Sequence, residues 1–94
     1  ASDVYKRQAQ DYGALAARAQ AAIAAGRPQD AEPALRAMVA ANPAEHFAWG
    51  VLGRNALFRG APEEAEQCFR AALRTDRRSA QYMNLLGVAL AEQG

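Results

Sequence analysis

Apolar positions in this chain recur with a helical period. Trp49, Leu52, Gly53 and Ala56 fall at i, i+3, i+4 and i+7, one face of a helix. Helix formers continue to Arg59, and Gly60 then sits where a left-handed residue closes a helix. Ala61-Pro62 follows; Pro62 suits the opening of the next helix, because its missing N–H would find no partner there anyway. Glu63, Glu64 and Glu66 load that first turn with acid, favourable at the positive end of the helix dipole. Ala65, Phe69, Ala72 and Leu73 then give a second apolar stripe. The pattern predicts a helical hairpin.

The hairpin pattern repeats. Gly26, Gly60 and Gly94 are spaced by 34 residues, and the same shift carries Pro28 onto Pro62, Ala31 onto Ala65, Glu32 onto Glu66, Arg36 onto Arg70 and Ala37 onto Ala71. Leu52-Gly53 falls on Leu86-Gly87. A fixed period of this length marks a solenoid, in which each unit buries its apolar face only against its neighbours. The units are 12–45, 46–79 and 80–94, the last being the first half of a third, and 9–11 lead into the first helix. Asn42-Pro43 is expected to end the first unit, since a residue before proline avoids helical dihedrals. Ser79 is the expected N-cap of the last helix. Pro33, a turn into the second helix of the first unit, is expected to delay or bend it.

These residues resemble the tetratricopeptide repeat, whose 34-residue pattern wants Trp, Leu, Gly and Tyr in a first helix, then Ala, Phe, Ala and Pro through a second. The second unit matches with Trp49, Leu52, Gly53, Ala65, Phe69 and Ala72, while Ala56 replaces the aromatic and Arg77 the proline. The first unit carries Leu15, Arg18, Ala19 and Ala22, then Ala31, Leu35, Met38 and Pro43; the third offers Met83, Leu86, Gly87 and Leu90. The resemblance covers 12–94 and implies an all-α, right-handed superhelix of about five antiparallel helices. Gly53, Gly87 and Ala19 are expected where paired helices approach closest, with Ala31 and Ala65 in the matching role, and Trp49 and Phe69 to dominate burial.

Composition adds exclusions. The chain has 94 residues, enough for one small domain with a thin core, and a net charge of +1. Its arginines are spread out apart from Arg77-Arg78, so nothing points to nucleic acid. One cysteine excludes an intrachain disulfide, and one histidine leaves no metal cluster; no cofactor is implied. Apolar runs are too short to insert into a bilayer. Alanine at 25 of 94 positions, with Arg in place of Lys, reads as a GC-rich bacterial coding sequence. Residues 1–8, which hold the sole lysine, resemble the translation of a transposase adapter used in sequencing libraries and are read as an artefact. With the native N-terminus then missing, localisation stays open, with the cytoplasm favoured.

No catalytic constellation is evident, so the segment itself is not read as an enzyme. His46 reads as a surface residue at a helix start, Cys68 as a packed thiol, the acids at 63, 64 and 66 as dipole stabilisers and Arg77-Arg78 as a solvated loop pair. What remains is a binding surface. The resemblance implies a concave groove lined by first helices, formed here by Gln20 and Ile23, by Phe47, Arg54, Leu57 and Phe58, and by Asn84 and Val88. Leu57 and Phe58 admit two readings, an interaction site or packing between units. A carboxylate clamp is not expected: Gln20 and Arg54 stand at its asparagine sites, Asn84 and Val88 at its third-unit cations, and the groove has no lysine. An apolar groove with Arg54 as anchor suits a hydrophobic or amphipathic segment of a protein partner.

The expected function is therefore a protein–protein interaction module, cut from a longer bacterial solenoid. Alternatives are a tetratricopeptide extension of a sulfotransferase, glycosyltransferase or hydroxylase whose catalytic domain lies beyond Gly94, and a structural spacer. The last helix, lacking a mate, is expected to leave the isolated chain marginal and prone to self-association.

Overall fold

A computed structural model describes the backbone of residues 2–94 and the side chains of residues 11–94. The adapter-like reading of residues 1–8 therefore lies outside the described side chains. The described residues are all-helical: α1 (Ser2–Ala24), a 3-10 turn (Pro28–Ala31), α2 (Glu32–Ala41), α3 (His46–Phe58), α4 (Pro62–Thr75) and α5 (Ala80–Glu92). Each helix packs on its neighbours in chain order, and α5 also reaches α3. Such nearest-neighbour packing is the logic of a solenoid.

The glycines explain the helix ends. Gly26 and Gly60 have φ of 76° and 77°, a region closed to most residues with a Cβ. Each builds the same closure. Gly26 N–H donates to the Ile23 carbonyl and Arg27 N–H to Ala22; Gly60 N–H donates to Leu57 and Ala61 N–H to Ala56. These pairs satisfy carbonyls that the ending helix would otherwise leave orphaned. Gly94, at φ 90°, repeats the first half of the device by donating to Ala91.

The two hairpins differ where Pro33 stands. Helix α4 starts directly at Pro62, whereas the corresponding Pro28 opens only a 3-10 turn, and α2 begins at Glu32. Pro33 has no N–H to donate back to residue 29, so it is accommodated only within the first turn of an α-helix. The helix start is delayed rather than bent. At the other end, Asn42 leaves the helical region at φ −141°, as a residue before proline should, and its Oδ1 accepts from Ala44 N–H at 3.2 Å. Ser79 caps α5, its Oγ accepting from Tyr82 N–H at 3.1 Å.

Burial is split between two clusters. Ala19, Ala31, Ala34, Leu35, Met38, Ala48, Leu52 and Cys68 form one; Ala56, Ala65, Phe69, Ala72, Tyr82 and Ala89 form the other. Phe69 is fully buried, whereas Trp49 is only half-buried, packs against both clusters and donates its Nε1–H to the Pro43 carbonyl at 2.8 Å. The indole is therefore a joint between clusters, with its polar edge tied to the loop. Gly53 sits at the expected close approach, beneath the Phe69 ring, and Ala19 is fully buried. Gly87 departs from that expectation: nothing lies within 4 Å of where its Cβ would be.

One buried polar group ties the units together. Asn55 is 2% exposed, and its Nδ2 donates to the Pro28 carbonyl at 3.0 Å, fastening α3 to the turn that precedes α2. Outside, Glu32, Arg36, Arg59 and Glu64 form an ionic box across α2, α3 and α4. Arg36 lies 2.7 Å from Glu32 and 3.8 Å from Glu64, while Arg59 lies 3.6 Å from Glu32 and closes the box on Glu64. These groups are largely solvated, so the box orients more than it stabilises.

Candidate interaction groove

Helices α3 and α5 meet where α3 has no side chain. A Cβ on Gly50 would lie 2.6 Å from Tyr82 Cε1 and 2.9 Å from its hydroxyl, so glycine is what lets the tyrosine ring lie against α3. The ring is held at its far end. Tyr82 Oη lies 3.1 Å from His46 Nδ1 and donates to the His46 carbonyl at 3.3 Å. The two rings meet edge-on with centroids 5.8 Å apart. The hydroxyl carries one proton and two acceptor lone pairs, so it can serve both contacts at once, with the role of Nδ1 set by the imidazole tautomer. Asp76 Oδ2 stands 3.9 Å from the same Nδ1. His46, expected as a plain surface residue, is thus a half-buried clasp between α3, α5 and the loop before α5. Burial pushes the Tyr82 phenol up from its ordinary range; the nearby Asp76 carboxylate adds to this and Arg54 opposes it.

Beside this contact lies a shallow cavity of about 150 Å³ lined by Phe47, Gly50, Val51, Arg54, Gln81 and Tyr82. Its character is mixed: aromatic and aliphatic walls with one guanidinium. Phe47 is half-buried, with part of its ring packed on the first cluster, so it is a fixed wall rather than a free side chain. Among the described residues, Arg54 lies within ion-pair distance of no carboxylate.

Of the residues expected to line the groove, the fold brings Phe47 and Arg54 together in this cavity. Gln20 is exposed on α1, and Ile23 is half-buried against the first cluster. Leu57 is half-buried and packs against the second cluster. Phe58 is 85% exposed at the end of α3, and Asn84 and Val88 are exposed on α5; none of the three lines the cavity. Gly50, Val51, Gln81 and Tyr82 were not anticipated. A glycine in mid-helix, four residues before Arg54 on the same face, was the available signal for Gly50.

Other chemistry is sparse. Among the described residues, no group of three His, Cys, Asp or Glu side chains could hold a metal ion. Cys68 is buried, and desolvation pushes its thiol up to about 11, opposite to what a reactive thiolate needs. Arg77 and Arg78 are exposed in the loop between α4 and α5. Among the described residues, no helix is long and apolar enough to cross a membrane.

Repeated helical hairpins closed by equivalent glycines, each packed on the next along the chain, define a repeat scaffold. A tetratricopeptide repeat family model matches residues 22–89, and the chain belongs to that family. No curated protein and no solved structure matched the chain. Membership makes it a protein-interaction module in general terms, of a family that is typically non-catalytic.

Proposed function

We propose that the face shared by α3 and α5 binds an amphipathic segment of a protein partner, which sets an apolar side chain between Phe47, Val51 and Tyr82 and a carboxylate on Arg54. The observation that carries this reading is the cavity in which those side chains converge around one guanidinium. Arg54 forms a planar fork suited to a carboxylate, and the adjacent apolar walls lower the local dielectric in which the pair would form. A cavity of about 150 Å³ accepts one side chain, so specificity would come from a short anchor motif rather than from an extended pocket.

Selection from a displayed random-peptide library on the whole chain tests this. Enriched peptides should pair an apolar residue with an acid, and Phe47→Ala or Arg54→Ala should weaken their binding at least about tenfold, as expected for an interfacial anchor. Peptides that bind both variants as well as the parent would sink the proposal.

A further inference from the structure

The cavity occupies one end of a longer face of α3. Phe47, Val51, Arg54 and Phe58 recur at i, i+4, i+7 and i+11, which sets them within about 60° of one another around the helix. Leu52, Gly53 and Ala56 are buried on the opposite side. Phe47, Val51 and Arg54 belong to the cavity, but the face continues beyond them to Phe58, one turn past Arg54 and 85% exposed. A lone exposed aromatic needs no explanation. One standing in line with an apolar cavity and an arginine that no described carboxylate approaches within ion-pair distance marks a contact surface.

Along α3 the face thus alternates apolar, cationic and apolar. The border on α5 is different in kind: Gln81 lines the cavity, and Asn84, exposed on α5, is one 34-residue period from Gly50. Both carry uncharged amides that donate and accept. Glu92 is one period from Phe58, so the far end of the face disfavours a second acid.

Spacing and hydrogen bonding together define the occupant. Arg54 and Phe58 are about 6 Å apart along the helix axis, and Val51 lies about 4.5 Å to the other side of Arg54. Alternate residues of an extended chain project to one side about 6.6 Å apart, which matches this sequence of contacts. A helical occupant could match the spacing too, but it satisfies its own backbone and would desolvate Gln81 and Asn84 without partners. An extended one presents free N–H and C=O groups to those amides.

We infer that this face takes an extended segment of a partner protein, with a carboxylate flanked two residues away on each side by apolar residues. The carboxylate meets Arg54, one apolar side chain enters the cavity, and the other lies on the Phe58 ring. The inference rests on the groove proposed above and makes Phe58 its second anchor.

Two displayed peptide libraries, selected on the whole chain, test this. Both fix a central acid; one sets apolar residues two positions to either side, the other four positions to either side. The first should enrich and the second should not. Synthetic, end-blocked, fluorescein-labelled winners should lose at least about tenfold in affinity with Phe58→Ala, as for a truncated interfacial anchor. Truncating one of the two apolar peptide residues to alanine should cost as much, and Phe58→Ala should then cost that peptide nothing further. Such non-additivity identifies a direct contact. Because Phe58 is 85% exposed, its removal should leave the melting temperature unchanged, which separates lost binding from lost folding. The inference is overturned if the four-residue spacing wins, making the occupant helical, if neither library enriches, or if winners ignore Phe58→Ala. Winners that ignore Phe58→Ala yet weaken with Phe47→Ala or Arg54→Ala would leave the cavity as an anchor without this extension. Winners that ignore all three substitutions would remove the groove as well.

Discussion

The ring of Phe69 occupies the space that a side chain on Gly53 would need: a Cβ there would lie 2.6 Å from Cε1 and 2.8 Å from Cζ. Both partners are fixed. Phe69 is fully buried among Ala56, Ala65 and Ala72, and Gly53 lies in the middle of α3. The distance between α3 and α4 is thus set by one absent methyl group and one ring.

Gly53→Ala should therefore destabilise the chain by roughly 1–3 kcal/mol, the usual cost of overpacking, despite a helix propensity that favours alanine by about 1 kcal/mol. Urea denaturation followed by circular dichroism measures this. An unchanged or raised midpoint would show that the helices can move apart freely.

Asn55 makes a second inter-unit tie, with its Nδ2 donating to the Pro28 carbonyl at 3.0 Å from a site 2% exposed. Asn55→Ala should cost about 1–3 kcal/mol, because it leaves that carbonyl without its partner and opens a small void. The same denaturation measurement applies. Hydrogen exchange should also quicken at the amides around the 3-10 turn, which lose the fastening.

Features of the fold that are local in sequence were legible there. The glycine closures, the Ser79 cap and the delayed start at Pro33 each depend on residues within one turn, and a 34-residue repeat multiplies each signal. Contacts between units were not legible. Asn55 with Pro28, Gly50 with Tyr82 and His46 with Tyr82 join residues 27 to 36 positions apart, and only the stacking angle brings them together. The groove shows the same division. Phe47 and Arg54 lie on the helix face left free by the core stripe, and both line the cavity between α3 and α5. Leu57 lies at the edge of that face and packs against the second cluster.

Cys68 links stability to pH. Its thiol is raised from an ordinary value of 9.0 to about 11, mainly by burial, with Glu64 adding to this. Between those values the unfolded chain loses the thiol proton while the folded chain keeps it. The native state then binds more protons, and stability falls as pH rises from about 9 to about 11. The loss is on the order of 2 kcal/mol at the upper end. Tyr12, raised to about 12 by burial and by its 2.7 Å hydrogen bond to Glu45, extends the decline above pH 10. Cys68→Ala should flatten the urea midpoint between pH 9 and 10 while leaving the steeper fall above it. An identical slope in both proteins would reject the assignment.

The contact between Gly50 and Tyr82 predicts a reversal of sign. Adding a methyl group at residue 50 drives it into a ring that is buried and tethered through its hydroxyl to His46. Gly50→Ala alone should therefore destabilise by roughly 1–3 kcal/mol. Tyr82→Ala removes the obstacle at a cost of its own, since a buried aromatic truncation is worth about 3–5 kcal/mol when the cavity cannot collapse. In that background Gly50→Ala meets no ring, and only helix propensity remains, which favours alanine by about 0.5–1 kcal/mol. The double-mutant cycle should give a coupling of at least about 1.5 kcal/mol, large for two side chains on different helices. Gly50→Ala should also displace Tyr82 from the cavity wall, so peptides selected on the groove should lose affinity even where the fold survives. A cycle that closes additively would mean the ring swings aside without cost, and the cavity would then not be a preformed site.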